Sequence, residues 1–172
     1  RGKIKTECMQ ICNIKVYADG ALGSRGACLI EEYRDKPGHR GFLLHDTAYL
    51  KNIAKHCYEQ GFQMSTHCIG DSAVRTMLRI YGDILKGKND LRWRIEHCQV
   101  VDPDDLALFE KFSVIPSVQP THATSDMYWA GERLGSERIK SAYAYNDLMR
   151  HNKLIAFGTD FPVENISPIY TF

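Results

Sequence analysis

An α/β fold with parallel strands is what this sequence predicts, on three observations. Short apolar runs alternate with longer amphipathic stretches four times over, and a fifth run closes the series. Each intervening stretch is long enough for the crossover helix that parallel neighbours require. The runs also end in residues capable of chemistry: Lys15 with Asp19 after it, then His67, His97 and Asp160.

The first run, Ile11 to Tyr17, is turned by Ala18-Asp19-Gly20. Residues 20–45 read as loop, with Pro37 and glycines at 20, 23, 26, 38 and 41. Asp46 caps a helix to about Gln60, whose Leu50, Ile53, Ala54 and Cys57 share one face. Gly61 ends it, in the way glycine ends many helices. Phe62 to Thr66 is the next strand, ending at His67. Gly70-Asp71 opens a second helix through Val74, Met77, Leu78 and Tyr81. Arg92 to Glu96 is a strand ending at His97. Asp102-Pro103 starts a third helix to about Phe112, with proline in the first turn where its missing N–H costs nothing. Val114 to Val118 is a strand ending at Gln119-Pro120, followed by a long loop to about Lys140. Ser141 to His151 is the fourth helix, and Leu154 to Gly158 is the last strand, ending at Thr159-Asp160.

Composition sets the outer bounds. The chain has 172 residues, 44% hydrophobic and 25% charged, with 22 Lys+Arg against 21 Asp+Glu. That balance argues against a nucleic-acid tract, and no apolar run of about 18 residues offers a membrane span. A small-molecule substrate and a cytoplasmic location are the expectations. Arg1 opens the chain without an initiator Met or a secretory leader, which suggests a piece of a longer protein. The cysteines at 8, 12, 28, 57, 68 and 98 form no CxxC pair and read as reduced, mostly buried thiols.

In a parallel sheet or barrel all strands end on one face, where active sites assemble from residues distant in sequence. One histidine after a strand is most simply a hydrogen-bonded structural residue. Lys15, His67, His97 and Asp160 at successive strand ends form a set, and histidine with carboxylate suits zinc or a similar divalent ion.

Five motifs carry a family resemblance: Lys15 to Arg25 (KVYADGALGSR), Thr66 to Asp71 (THCIGD), Arg94 to His97 (RIEH), Gln119 to His122 (QPTH) and Gly158 to Pro162 (GTDFP). In this order they resemble the amidohydrolase superfamily, in its YtcJ-like branch of metal-dependent hydrolases. The resemblance implies a partial TIM (β/α)8 barrel, approximately strands 4 to 8 with their helices. A full barrel takes about 250 residues, so strands 1 to 3 and a flanking β-sandwich are expected outside this sequence. It further implies that Lys15 is a carboxylated bridging lysine, that His67 and His97 are metal ligands, and that Asp160 is a ligand and the proton acceptor. The family's His-x-His pair is absent here, so one of two metal positions keeps only Asp160 and a share of Lys15. The implied reaction is cleavage of an amide or cyclic-amide C–N bond, with the 172 residues inactive by themselves.

The remaining motif residues have competing readings. His122 either polarises the substrate carbonyl or is structural. Asp19 and Arg25 either bind a substrate carboxylate or carbonyl or pair with each other. Tyr128 and Trp129 either wall the substrate pocket or pack within their loop. Glu96, beside His97 on a strand, is expected to point away from it, and Asp71 is a helix cap as readily as a site residue. His39, His45, His56 and His151 read as surface or structural. Expected partners are the remainder of the barrel or further copies of the chain. Two alternatives remain open: a non-catalytic barrel used for binding or scaffolding, and an aldolase using Lys15 as a Schiff-base lysine.

Overall fold

A computed structural model describes residues 2–172. A short antiparallel hairpin, β1 (Ile4–Lys5) with β2 (Gln10–Ile11), precedes the main sheet. The main sheet has five strands: β3 (Asn13–Tyr17), β4 (Gln63–Cys68), β5 (Arg94–His97), β6 (Ile115–Val118) and β7 (Ala156–Phe157). Every adjacent pair is parallel, and spatial order follows sequence order. Sequential order is what a (β/α) barrel requires, because each strand is laid beside the one before it. The sheet is therefore an arc of such a barrel, and all five expected strands are present.

The crossovers are α1 (Thr47–Glu59), α2 (Asp71–Leu85), α3 (Leu106–Phe112) and α6 (Tyr145–Asn152). Asp46 caps α1 by accepting from the Tyr49 N–H at 2.7 Å. Asp102 accepts from the Asp104 N–H at 2.9 Å and opens a 3-10 turn, Pro103–Asp105, that leads into α3. The expected long loop after β6 is instead two short helices, α4 (Pro120–Asp126) and α5 (Ala130–Arg138). Their apolar residues are too few to set a helical period, and Gly135 interrupts α5 with φ +81°. The expected strand 11–17 likewise splits at Cys12: Ile11 pairs back onto Ile4, and only Asn13–Tyr17 joins the main sheet.

Strand alternation decides what faces where. Met64, Cys68 and Ile95 point outward into a core shared with Val74, Met77, Leu78 and Tyr81 of α2 and Phe109 of α3. Trp93 is fully buried there and donates Nε1–H to the Phe62 carbonyl at 3.1 Å. Burying each such side chain contributes about 1.5–3 kcal/mol, so this outer layer holds the strands in place. The inner face carries Lys15, Tyr17, His67, Glu96 and Ser117, with Tyr17, His67, Glu96 and Ser117 side by side in register. A second apolar cluster, including Leu22, Ala27, Tyr33, Ile69, Ala130 and Leu134, packs the loop after β3 against α5. All six cysteines are free; Cys57, Cys68 and Cys98 are buried, whereas Cys8 is exposed. Among the described residues no helix is long and apolar enough to cross a membrane.

Candidate active site

The inner ends of β3 to β6, and the turn after β7, surround one cavity of about 390 Å³ lined by Lys15, His67, His97, His122, Trp129 and Asp160, among others. His67 sits at the inner face of β4, directly beside Tyr17 of β3. Its ring centroid is 4.9 Å from that of Tyr17 and 4.4 Å from that of His97. By strict alternation His97 would follow Ile95 to the outer side of the sheet. It does not, because His97 has φ +77° and Cys98 φ +48°, and this left-handed corner turns the ring inward. Glu96 lies on the same inner face as His67 but outside the cavity lining, in a structural role. Glu96 accepts from the Arg94 guanidinium at 2.9 Å. Burial works against its charge, but hydrogen bonds from Ser117 and Arg94 hold the carboxyl below its usual range.

His97 Nδ1 is 2.8 Å from the Gln119 side-chain oxygen. An amide oxygen only accepts, so Nδ1 carries the hydrogen and Nε2 keeps its lone pair. His122, in the first turn of α4, stacks on His97 with centroids 6.0 Å apart, and its Nε2 is 3.8 Å from Asp160 Oδ2. Asp160 is also left-handed, φ +56°, in the turn after β7. Ligand atoms of His97, His122 and Asp160 all lie within 4.8 Å of one another. His122 thus joins a group able to hold a metal, where the sequence suggested a role toward the substrate carbonyl. His67 and Lys15 line the same cavity just outside that group. Burial drives the His67 pKa down to about 3, helped by His97 and Lys15, and drives that of His97 down to about 4, helped by Lys15. Both rings are therefore neutral near pH 7, the form in which imidazole binds a metal.

Whether these residues suit a divalent ion is answered by their unmet hydrogen-bonding capacity. His67 and His122 are both buried, and the Nε2 atom of each has no partner among the described residues. A buried imidazole nitrogen without a partner costs roughly 1–3 kcal/mol. Two of them at one cavity, beside a carboxylate, fit a metal, and His/carboxylate donors suit zinc. Lys15 is solvent-exposed, with Nζ 5.3 Å from the Tyr17 ring centroid. A Schiff-base lysine would give no role to His67, His97 and Asp160, which line the same cavity.

The other candidates separate. Asp19 is fully buried and lies outside the cavity lining. It accepts from the backbone N–H groups of Cys28 (2.9 Å), Ile69 (3.0 Å) and Gly70 (2.9 Å), latching the loop after β3 to the end of β4. Burial raises its pKa to about 7 against the pull of these donors. Its Oδ1 lies 3.7 Å from His67 Nε2. Arg25 does not pair with Asp19; it makes two bonds to Asp35, at 3.1 and 2.7 Å, and also lies outside the lining. Asp71 accepts from the Ile30 and Ser72 N–H groups at 2.8 and 2.9 Å, a structural role. Trp129 lines the cavity, whereas Tyr128 is 81% exposed and does not. Gly23 lies against the Trp129 indole, where an added Cβ would sit 3.2 Å from the ring. Sequence reasoning passed over Gln99, Asp126 and Glu164, which also line the cavity. The first is two residues past His97 and the second one turn past His122, so strand-end and helical spacing were the available signals.

A sequentially ordered parallel sheet with histidines and an aspartate at one end has the layout of a barrel-type site able to hold a divalent ion. The comparisons agree: a sequence profile described as "Amidohydrolase family" matches residues 4–172, and the chain belongs to that family. It is 34% identical over 174 residues to Protein LONG AFTER FAR-RED 3 of Arabidopsis thaliana, covering 99% of this chain and 30% of that protein. It is 34% identical over 156 residues to the putative amidohydrolase YtcJ of Bacillus subtilis (strain 168), covering 91% of this chain and 29% of that one. An uncharacterised metal-dependent hydrolase from Pyrococcus horikoshii OT3 superimposes with a TM-score of 0.90 at 34% identity, over 99% of this chain and 34% of the other. The chain therefore spans about a third of the length of these relatives.

Proposed function

We propose that the protein containing this sequence is a metal-dependent hydrolase that cleaves an amide or cyclic-amide C–N bond. The observation that carries the proposal is the convergence of His97, His122 and Asp160 within 4.8 Å, beside His67 and Lys15, on one cavity. A divalent ion, zinc by the chemistry of its donors, would be held by His67, His97, Asp160 and a carboxylated Lys15, with His122 within reach. Such an ion, when bound, lowers the pKa of water from 15.7 to about 7 and stabilises negative charge on a carbonyl oxygen.

The chain's own residues account for the remaining steps. Asp160 accepts the proton of the attacking water as the water oxygen bonds to the carbonyl carbon. When its Nε2 carries the proton and is not bound to the ion, His122 would donate to the developing oxyanion. Asp160 then gives the proton to the nitrogen as the C–N bond breaks, leaving a carboxylic acid and an amine. Gln119 holds the His97 ring in one tautomer throughout. Trp129 and Leu22 supply apolar parts of the cavity wall.

The test uses the full-length protein. His67→Ala and His97→Ala are each expected to lose bound metal, read by elemental analysis, together with hydrolysis of an amide panel. Unchanged metal content in both variants would overturn the ligand assignment.

A further inference from the structure

The cavity has two kinds of wall. His97, His122 and Asp160 gather its polar donors, whereas Leu22, Gly23, Ile69, Trp129 and Val163 give it apolar surface. Most of that apolar surface is fixed in place. Leu22 and Ile69 are buried in the cluster that joins the loop after β3 to α5, and Trp129 packs against it. Gly23 sits in a tight turn of that loop. There the Ala21 carbonyl accepts from the Gly26 and Ala27 N–H groups at 2.9 and 3.1 Å, and the Leu22 carbonyl from the Arg25 N–H at 3.0 Å. The benzo edge of the Trp129 indole rests on Gly23, where an added Cβ would stand 3.2 Å from Cη2 and 3.3 Å from Cζ2. Arg133, one turn further along the chain, lies 5.8 Å from the indole centroid, and its Nε donates to the Gly23 carbonyl at 3.2 Å. The same guanidinium pairs with Asp35, which also holds Arg25, and with Glu132 at 3.7 Å. Both arginine charges are thus met by carboxylates, and neither arginine lines the cavity. The ring of Tyr17, also in the lining, already lies against His67 and Lys15. At about 390 Å³ the cavity is near the small end of the range for ligand pockets, about 300–1,000 Å³, which suits one ring beside a reacting amide.

We infer that the Trp129 indole seats a single aryl ring carried by the amide substrate, and that Gly23 is the specificity-determining residue that fixes where the indole stands. A planar ring gains on an indole by offset stacking or edge-to-face contact, worth about twofold to tenfold in affinity beyond burial alone. Gly23 does not have a left-handed backbone, so alanine suits its conformation. The three atoms nearest an added Cβ all belong to Trp129, so a methyl group there displaces the indole by a few tenths of an ångström. The inference rests on the hydrolase reading only in taking this cavity as the substrate site.

The experiment measures binding without turnover, so the two readings fail separately. Full-length protein is titrated by ligand-observed NMR with 2-phenylethanol, which offers no bond to hydrolyse, and with 2-cyclohexylethanol, its non-planar counterpart. The phenyl compound is expected to bind about threefold more tightly, or better. In protein labelled with 4-fluorotryptophan, the fluorine resonance that Trp129→Phe removes is expected to shift during that titration. Gly23→Ala is expected to move the same resonance before any probe is added, and to weaken 2-phenylethanol several-fold. In a Trp129→Leu background the phenyl preference should vanish and Gly23→Ala should cost nothing more, because the two residues act through one contact. If Trp129→Leu does not fold, Gly23→Ala alone decides the matter: an unmoved resonance with unchanged affinity for 2-phenylethanol overturns the inference. A parent protein that binds the phenyl compound no better than the cyclohexyl one overturns it too, as does a preference that survives Trp129→Leu.

Discussion

Asp19 offers the sharpest test of how the site is held. Its carboxylate meets three backbone N–H groups, two from the end of β4 and one from the loop after β3. Oδ2 takes the Cys28 and Gly70 donors and Oδ1 takes Ile69. Asp19→Asn replaces one oxygen by an NH₂ group, which sets a donor against at least one N–H. The lost bond and the orphaned donor together cost roughly 2 kcal/mol. Asp19→Ala orphans all three donors, and roughly 3–5 kcal/mol is expected, lessened to the extent that water enters the space. In a protein about three times this length the thermal midpoint should fall by on the order of 2 °C for Asn and about 3–5 °C for Ala. The local readout is amide exchange at Cys28, Ile69 and Gly70, which should speed up by roughly 30-fold or more for about 2 kcal/mol of lost protection. His67 follows the same backbone, so its ring should lose its fixed place beside His97. An Asp19→Ala protein that melts within a degree of the parent, with those three amides exchanging as before, would refute the latch.

Other expectations follow from equally local features. At Gly70 an added Cβ would lie 2.1 Å from the Cys28 carbonyl oxygen, so Gly70→Ala should destabilise by about 1–3 kcal/mol or more, whereas Gly87→Ala, with nothing within 4 Å, should be neutral; comparative denaturant melts decide it. In the full-length protein Lys15→Ala should lose activity, and a short carboxylic acid should restore part of it in place of the carbamate. Metal reconstitution should be more complete with bicarbonate; indifference to bicarbonate with full metal retention in Lys15→Ala would instead support an unmodified lysine. The 172-residue chain expressed by itself should associate, since β3 and β7 each have a neighbour on one side only and Phe157, Phe161, Val163 and Ile169 are exposed. A concentration-independent monomeric melt would contradict that expectation.

Much of the fold was legible because the helices that cover the sheet bury one face. Leu50, Ala54 and Cys57 of α1, and Val74, Met77, Leu78 and Tyr81 of α2, repeat at helical spacing because the core demands it. The helices after β6 were not legible, since α4 buries only His122 and α5 only Ala130 and Leu134. The site residues were visible as strand-end polar groups. Their grouping was not visible, because it depends on single backbone angles at His97, Cys98 and Asp160 that no side-chain pattern announces. Arg25 shows the same limit in another form. Its charge suggested a substrate contact, and its partner Asp35 lies ten residues on, inside a loop whose path the sequence does not specify.

The left-handed corner at the end of β5 has a consequence for how such a protein changes under selection. His97 is paired with Cys68 across the sheet, and an ordinary extended backbone at this point would send its ring toward the helices. Holding two consecutive non-glycine residues there costs on the order of 1–3 kcal/mol each. Cys98 packs into the outer core from this corner, and the left-handed turn at His97 itself serves the placement of the imidazole. A screen for thermal stability that ignores chemistry should therefore favour lineages in which this corner relaxes. Those lineages would keep the barrel arc, melt higher and be inert, so heat resistance and the imidazole's placement pull this short stretch of chain in opposite directions.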